Sequence, residues 1–388
     1  MMRHAIRQLW LGMLALFIVM AIGRFAYTPI LPFMQVSEHM DSAQAGFLAT
    51  INYLGYLIGA IIPMYFIFKS KAIDLKIYLI INIMATILMG VTESYGLWSM
   101  LRLVSGITSG TVFVLASNIV LEALRQAQKS NISGLLYSGV GLGIFTSSIY
   151  IFFETHNDSW QLTWIVLGVV SLLGGMFVIF GMRDNPTIKI DQTQHAKIED
   201  RQPLNAKFIR YFSIAYFCEG AGYIITGTFL VAIVKSIPEL ADYAALSWMF
   251  VGLGAIPSTV MWSVIAEKIG YDKATYCAFV LQIIGVSLPI LSNHTLILMI
   301  SSILFGSTFL GLTTLFMSTG QKLMYQSGGK SNLVASLTVI YSVGQMVAPA
   351  ISGVLIGASN NYNIALAFAT LVLIIGLFST MKSYKVLN

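Results

Sequence analysis

The chain has 388 residues, 57% of them hydrophobic and 10% charged, with 22 Lys plus Arg against 16 Asp plus Glu. A soluble domain carries roughly 25% charged residues because its surface must be solvated; this chain cannot cover a water-facing exterior, so its outer surface must meet lipid. Cys218 and Cys277 lie in apolar segments, and His4, His39, His156, His195 and His294 lie in termini or loops. That scatter excludes a clustered metal site, makes a structural disulfide unexpected and calls for no cofactor.

A helix needs about 20 apolar residues to cross the hydrocarbon core, and backbone in lipid must pair within its own segment. The first such stretch, 9–34, is too long for the apolar core of a signal peptide and lacks a small-residue cleavage pattern, so it reads as a retained span. Further spans are predicted at 43–68, 77–93, 96–120, 133–153, 161–182, 208–234, 243–266, 274–292, 295–318, 333–357 and 363–381. The expected fold class is therefore an all-α polytopic membrane protein of 12 transmembrane helices. An even number of spans puts both termini on one side.

Placing the termini in the cytoplasm puts 19 of the 22 Lys and Arg on that face, among them Arg3, Arg7, Lys69, Lys71, Lys76, Arg125, Lys129, Lys189, Lys197, Arg201, Lys322, Lys330, Lys382 and Lys385. Lys235 alone falls in the opposite loops, beside Glu38, Asp41, Glu154, Asp158, Glu239 and Asp242. The positive-inside rule selects this orientation, in a cytoplasmic (inner) membrane. The net charge of +6 is thus a topology signal and not a nucleic-acid footprint. Residues 183–207, with Pro186 and Pro203, read as a cytoplasmic linker between an N-terminal six-helix bundle (1–182) and a C-terminal one (208–388).

The two halves repeat. Gly59-Ala60-Ile61-Ile62-Pro63 in the second span matches Gly254-Ala255-Ile256-Pro257 in the eighth at an offset of 195, and Tyr137-Ser138-Gly139 matches Tyr341-Ser342-Val343-Gly344 at 204. Ser105-Gly106 and Phe305-Gly306 match at 200. Both halves begin on the same side, so they are parallel repeats about an axis along the membrane normal.

Specific motifs then resemble a family. Gly23-Arg24-Phe25-Ala26-Tyr27-Thr28-Pro29-Ile30-Leu31-Pro32 is similar to the first-helix signature of drug/proton antiporters of the major facilitator superfamily, and Arg102-Leu103-Val104-Ser105-Gly106 resembles their fourth-helix arginine motif. Ser263 to Lys273 resembles the superfamily's loop motif, which implies a gating role for Glu267, Lys268, Gly270 and Lys273. Together with Glu219-Gly220-Ala221-Gly222-Tyr223-Ile224, these motifs resemble the YbfB/YjiJ-type subfamily over the whole chain. The resemblance implies two pseudo-two-fold-related bundles, a central cavity lined by helices 1 and 7, and a proton-coupling role for Arg102. Two departures stand out. Phe68-Lys69-Ser70-Lys71 lacks the acid and glycine of the first-half loop motif, and Ser147-Ser148 replaces the antiporter Gly-Pro, which weakens any implied export direction.

Ionisable groups deep in a membrane cost a few kcal/mol or more each. Three are clearly inside: Arg24, Arg102 and Glu219. The 195-residue offset carries Arg24 onto Glu219, which would set a guanidinium and a carboxylate at equivalent positions of helices 1 and 7. Glu219 is a candidate proton carrier, with desolvation and Arg24 acting on it in opposite senses. Arg24 could instead hold a carboxylate or phosphate of the solute, and a permanent ion pair between the halves is the bland alternative. Arg102 is open between a coupling role and a hydrogen bond to backbone or to Glu93. Tyr27, Tyr223 and Thr226 share helix faces with these charges. Asn52, Tyr53, Tyr56, Trp248, Tyr341, Gln345 and Asn118 could contribute from neighbouring helices, or serve packing.

The expected function is secondary active transport of a small organic solute, coupled to protons, by rocking-type alternating access. No Gly-x4-Gly-Lys-Ser/Thr motif is present, so ATP drive within the chain is excluded. Export of amphipathic compounds leads, and a proton/organic-anion symporter is the alternative. An integral-membrane enzyme acting on lipid-linked substrate is the distant third, since clustered catalytic residues are lacking. The expected partners are a small-molecule substrate, protons and the lipid bilayer, with the chain a monomer.

Overall fold

The computed structural model describes residues 1–129, 132–154, 159–185, 205–326, 333–359 and 361–386. Pro186, Lys189, His195, Lys197, Arg201 and Pro203 of the expected linker, with His156, Asp158 and Lys330, lie outside the described residues. Among the described residues, twelve helices are long and apolar enough to span a membrane. They are α1 (Met2–Ser37), α2 (Ser42–Tyr65), α3 (Lys71–Met89), α4 (Tyr95–Gln126), α5 (Leu135–Glu154), α6 (Trp160–Gly181), α7 (Ala206–Lys235), α8 (Ala244–Ile269), α9 (Tyr271–Leu291), α10 (Thr295–Gln326), α11 (Leu333–Ser359) and α12 (Tyr362–Lys385).

Capping explains where several helices begin. Asp41 and Gln44 close a reciprocal capping box at the start of α2. Ser70 caps α3, which starts six residues before the apolar run that predicted it and stops at Gly90. Asp74 in its first turn accepts the Phe68 and Lys69 amides at 2.7 and 3.1 Å. The first-half loop therefore recovers an acid that its motif had lost, spent on its own backbone. Between α8 and α9 the entire connection is Gly270 at φ +96°, a conformation that strains any residue with a Cβ.

The packing is two-fold. In the first half α2 packs on α4, α3 on α6 and α1 on α5; in the second half α8 packs on α10, α9 on α12 and α7 on α11. Across the halves the contacts are α5 with α8, α2 with α11 and α1 with α7, a set that exchange of the halves leaves unchanged.

These contacts correct the repeat register. A Cβ on Gly55 would strike Leu103 O and Ile107 N of α4; one on Gly254 would strike Ile303 O and Ser307 N of α10. Gly254 thus corresponds to Gly55, at an offset of 199, and not to Gly59. The position equivalent to Gly59 is Ser258, one helical turn beyond Gly254, and its hydroxyl donates to the Ser307 carbonyl. Helices α1 and α7 cross where Thr28 Oγ1 donates to the Gly227 carbonyl, again 199 residues apart. Arg24 is therefore equivalent to Tyr223, and Glu219 to Met20. The two charges sit about one turn apart in depth, with Glu219 nearer the end of the molecule that carries the termini.

Candidate functional site

Pro29 and Pro32 lack amide protons, so carbonyls about one turn before them lose their helical donors. Upstream, Phe17–Phe25 winds as a π-helix, and α-helix resumes at Tyr27. Such segments concentrate at functional positions, and no periodicity in the sequence marked this one. Two carbonyls at the end of this π-helical segment are met from α4: Ser105 Oγ donates to Gly23 O at 2.8 Å, and Arg102 Nη1 reaches Gly23 O and Arg24 O at 3.5 and 3.4 Å. Arg102 also lies over the Tyr27 ring at 4.5 Å. Glu93 is not its partner; that carboxylate faces Gln161 across the surface. Arg102→Met should therefore destabilise the purified protein by about 1–3 kcal/mol in thermal unfolding, the usual effect of removing a buried donor. Unchanged stability would remove this structural role.

Arg24 is 2% exposed and forms the centre of the first half's site. Its guanidinium carbon lies 4.0 Å from the Tyr56 ring centroid, 4.6 Å from Tyr53 and 5.2 Å from Phe25. Nε and Nη2 are buried without a hydrogen-bond partner. A desolvated cation–π contact contributes about 2 kcal/mol, whereas taking an ion out of water costs several. The rings alone leave the charge undercompensated.

In the second half Glu219 is fully buried, and neither carboxylate oxygen has a hydrogen-bond partner. No ion pair joins it to Arg24; Lys71 and Glu122 form an ion pair at 3.4 Å, near the termini. The permanent bridge between the halves is thus absent. Gln282 of α9 and Tyr341 of α11 lie beside the carboxylate instead. Sequence reasoning missed Gln282, because an amide in an apolar helix carries no charge to flag it.

Through the second half runs a ladder of nearly parallel rings: Phe305, Phe309, Tyr223, Tyr341, Tyr216 and Phe316, with interplanar angles of 11–21°. Gln345 Nε2 donates to the Tyr223 hydroxyl, and Gln345 Oε1 is left unpartnered. Trp248 packs against Phe25 and Phe305 with its indole N–H unpaired, and the Thr226 hydroxyl is also unpaired. Tyr53 and Tyr56 thus lie against Arg24, Tyr341 lies beside Glu219, and Tyr223, Trp248 and Gln345 join the same ring cluster. Three expected contributors are committed elsewhere. Tyr27 bonds the Ala45 carbonyl at 2.9 Å, Asn52 bonds the Arg102 carbonyl at 2.8 Å, and Asn118 lines a groove near the termini with Lys71, Glu122 and Arg125.

Residues 16–380 match the family described as the uncharacterised MFS-type transporter YbfB. The chain belongs to the major facilitator superfamily. As a member of this family it is a secondary transporter of small solutes and not an enzyme. Among solved structures it is similar to the nucleoside transporter NupG, at 14% identity and a TM-score of 0.68 over 98% of this chain and 99% of that one. A mutant of NupG superimposes with a TM-score of 0.73 at 13% identity, over 98% and 100% of the two chains. At that identity the likeness is one of fold. A search of curated proteins found no match. The superfamily loop motif lies at the termini end, where Glu267, Lys268 and Lys273 are exposed around Gly270 and form no ion pair among the described residues.

Proposed function

We propose that this transporter takes up a small organic anion with an apolar or aromatic body, driven by protons, through rocking-type alternating access. Both termini face the cytoplasm of the inner membrane, as the basic residues at that end require. One observation carries the reading: the Arg24 guanidinium is buried between the halves with two unpartnered nitrogens and no carboxylate. A carboxylate or phosphate on the solute supplies the missing compensation, in the two-pronged geometry a guanidinium favours. The ring ladder accepts the apolar part. Export of cationic amphipaths, the reading favoured by motif resemblance, suits this site less well because the fixed charge would repel them. Glu219, buried without a cation, serves as the proton carrier, since an isolated ionised carboxylate there is costly.

A second reading, a neutral planar solute such as the nucleosides of NupG, is favoured by the ladder alone. Proteoliposome uptake with an acid exterior separates the two by competition between aromatic carboxylates and nucleosides. Arg24→Lys is expected to weaken the apparent affinity for the anion at least about tenfold, since a lysine keeps the charge and loses the fork. Unchanged affinity would rule out the anion clamp.

A further inference from the structure

The amide of Gln282 has a counterpart that shows what such a residue does when its role is purely structural. Helices α3 and α9 begin 200 residues apart, at Lys71 and Tyr271, so Asn82 and Gln282 occupy the same turn. Asn82 Nδ2 is fully used: it donates to Ser105 O at 3.1 Å and to Thr108 Oγ1 at 2.8 Å, pinning α3 to α4. In the second half Phe305 stands at the position of Ser105, and Thr308, which bonds the carbonyls of its own helix just as Thr108 does, receives no bond from Gln282. Gln282 is left fully buried with both amide atoms unpartnered. It lies against Glu219, whose two oxygens are equally unpartnered. Native structures rarely bury four such atoms side by side without a reason.

We propose that Glu219, Gln282 and Tyr341 form a proton-binding site enclosed within the second half, in which the Gln282 amide partners Glu219 in both protonation states. This rests on the reading of Glu219 as proton carrier. The amide is suited to it because it offers both a donor and an acceptor. Nε2–H donates to the ionised carboxylate; once a proton from water binds a carboxylate oxygen, that O–H donates to Oε1. Exchange between the two needs only rotation of the amide, and it ties the charge on α7 to the position of α9.

The surroundings leave this role to Gln282. The titratable groups facing the carboxylate are Tyr216 and Tyr223 of α7 and Tyr341 of α11. The Tyr341 hydroxyl is already engaged with Thr313 of α10 at 3.2 Å, and Tyr223 with Gln345. Arg24 and Tyr56 of the first half lie near enough to act electrostatically on Tyr223 and Tyr216, respectively. Helix α12 meets the neighbouring Cys218 and Gly222 through Gly376 and Leu373, and contributes no titratable side chain of its own there.

The test is a pH titration of the purified, full-length protein by infrared difference spectroscopy. The C=O stretching band of protonated Glu219 is assigned by its loss in Glu219→Gln. In Gln282→Leu that band should change frequency and its midpoint should rise by about half to one pH unit. The sign follows because the donor bond to the ionised form is the stronger of the two that are lost. Gln282→Asn, which shortens the amide by one methylene, should move it the same way by less, and serves if the leucine variant does not fold. A band unmoved in either folded variant overturns the inference and leaves Glu219 as the carrier. Absence of any titrating Glu219 band in the unmodified protein overturns both.

Discussion

Glu219→Gln is expected to abolish uptake against a gradient while leaving solute exchange intact. Glutamine matches the shape of the protonated side chain but cannot release a proton, so the carrier is held in one charge state. In proteoliposomes with an imposed proton gradient, accumulation should fall to the level reached by equilibration. Counterflow, which needs no net proton movement, should stay within about twofold of the unmodified protein. Glu219 has no cation partner and both its oxygens are buried and unpaired, so no ion pair is broken by the change. That distinguishes it from loss of a buried salt bridge, where removing one partner costs 3–5 kcal/mol of stability. Accumulation by this variant would show that the coupling carboxylate lies elsewhere.

Gly46→Leu is expected to stop transport by a different route. Gly46 near the start of α2 lies against the Pro349 carbonyl and the Gly353 Cα of α11; reciprocally, Gly353 lies against the Ser42 carbonyl and the Ala43 Cα. Here two backbones meet across the halves, at the end opposite the termini. A leucine has no flexible neighbour to displace, and the only relief is separation of α2 from α11. Overpacking by even a few methylenes costs typically 1–3 kcal/mol, so the closed population of that end should fall by about tenfold or more. Contacts within each half are untouched, and thermal stability should change little. Distance measurements between labels on Ser42 and Gly357, at the far ends of α2 and α11, should show the end held open, and uptake should be lost. Wild-type uptake would show that this contact is not part of the transport cycle.

Much of this was legible in the chain. Hydropathy alone sets the count of twelve helices, because lipid demands long apolar stretches with internally paired backbone. Arg24, Arg102 and Glu219 stand out for the same reason, since charge is rare where water is absent. Helical spacing put Tyr223 on the face of Glu219, whereas Tyr53, Tyr56 and Gln345 could be offered only as polar groups on neighbouring helices, with packing as the alternative. The register between halves did not. The sequence match of Gly59 to Gly254 is a coincidence of composition in apolar helices, where Gly, Ala, Ile and Pro recur. The true correspondence, Gly55 to Gly254, is defined by which carbonyls of α4 and α10 each glycine lets approach.

That four-residue error decided the expected geometry of the site, by setting Arg24 opposite Glu219 when the fold pairs it with Tyr223. Composition determines that this is a multi-span membrane protein with a few buried charges, because burial of charge is a property of single residues. Whether two such charges meet depends on helix register, rotation and depth, which are set by backbone contacts between distant segments. The π-helical turn at Phe17–Phe25, the carbonyls held by Arg102 and Ser105, and the unpartnered amide of Gln282 beside Glu219 all belong to that second kind of information. Each is a relation between helices, and only the folded chain contains it.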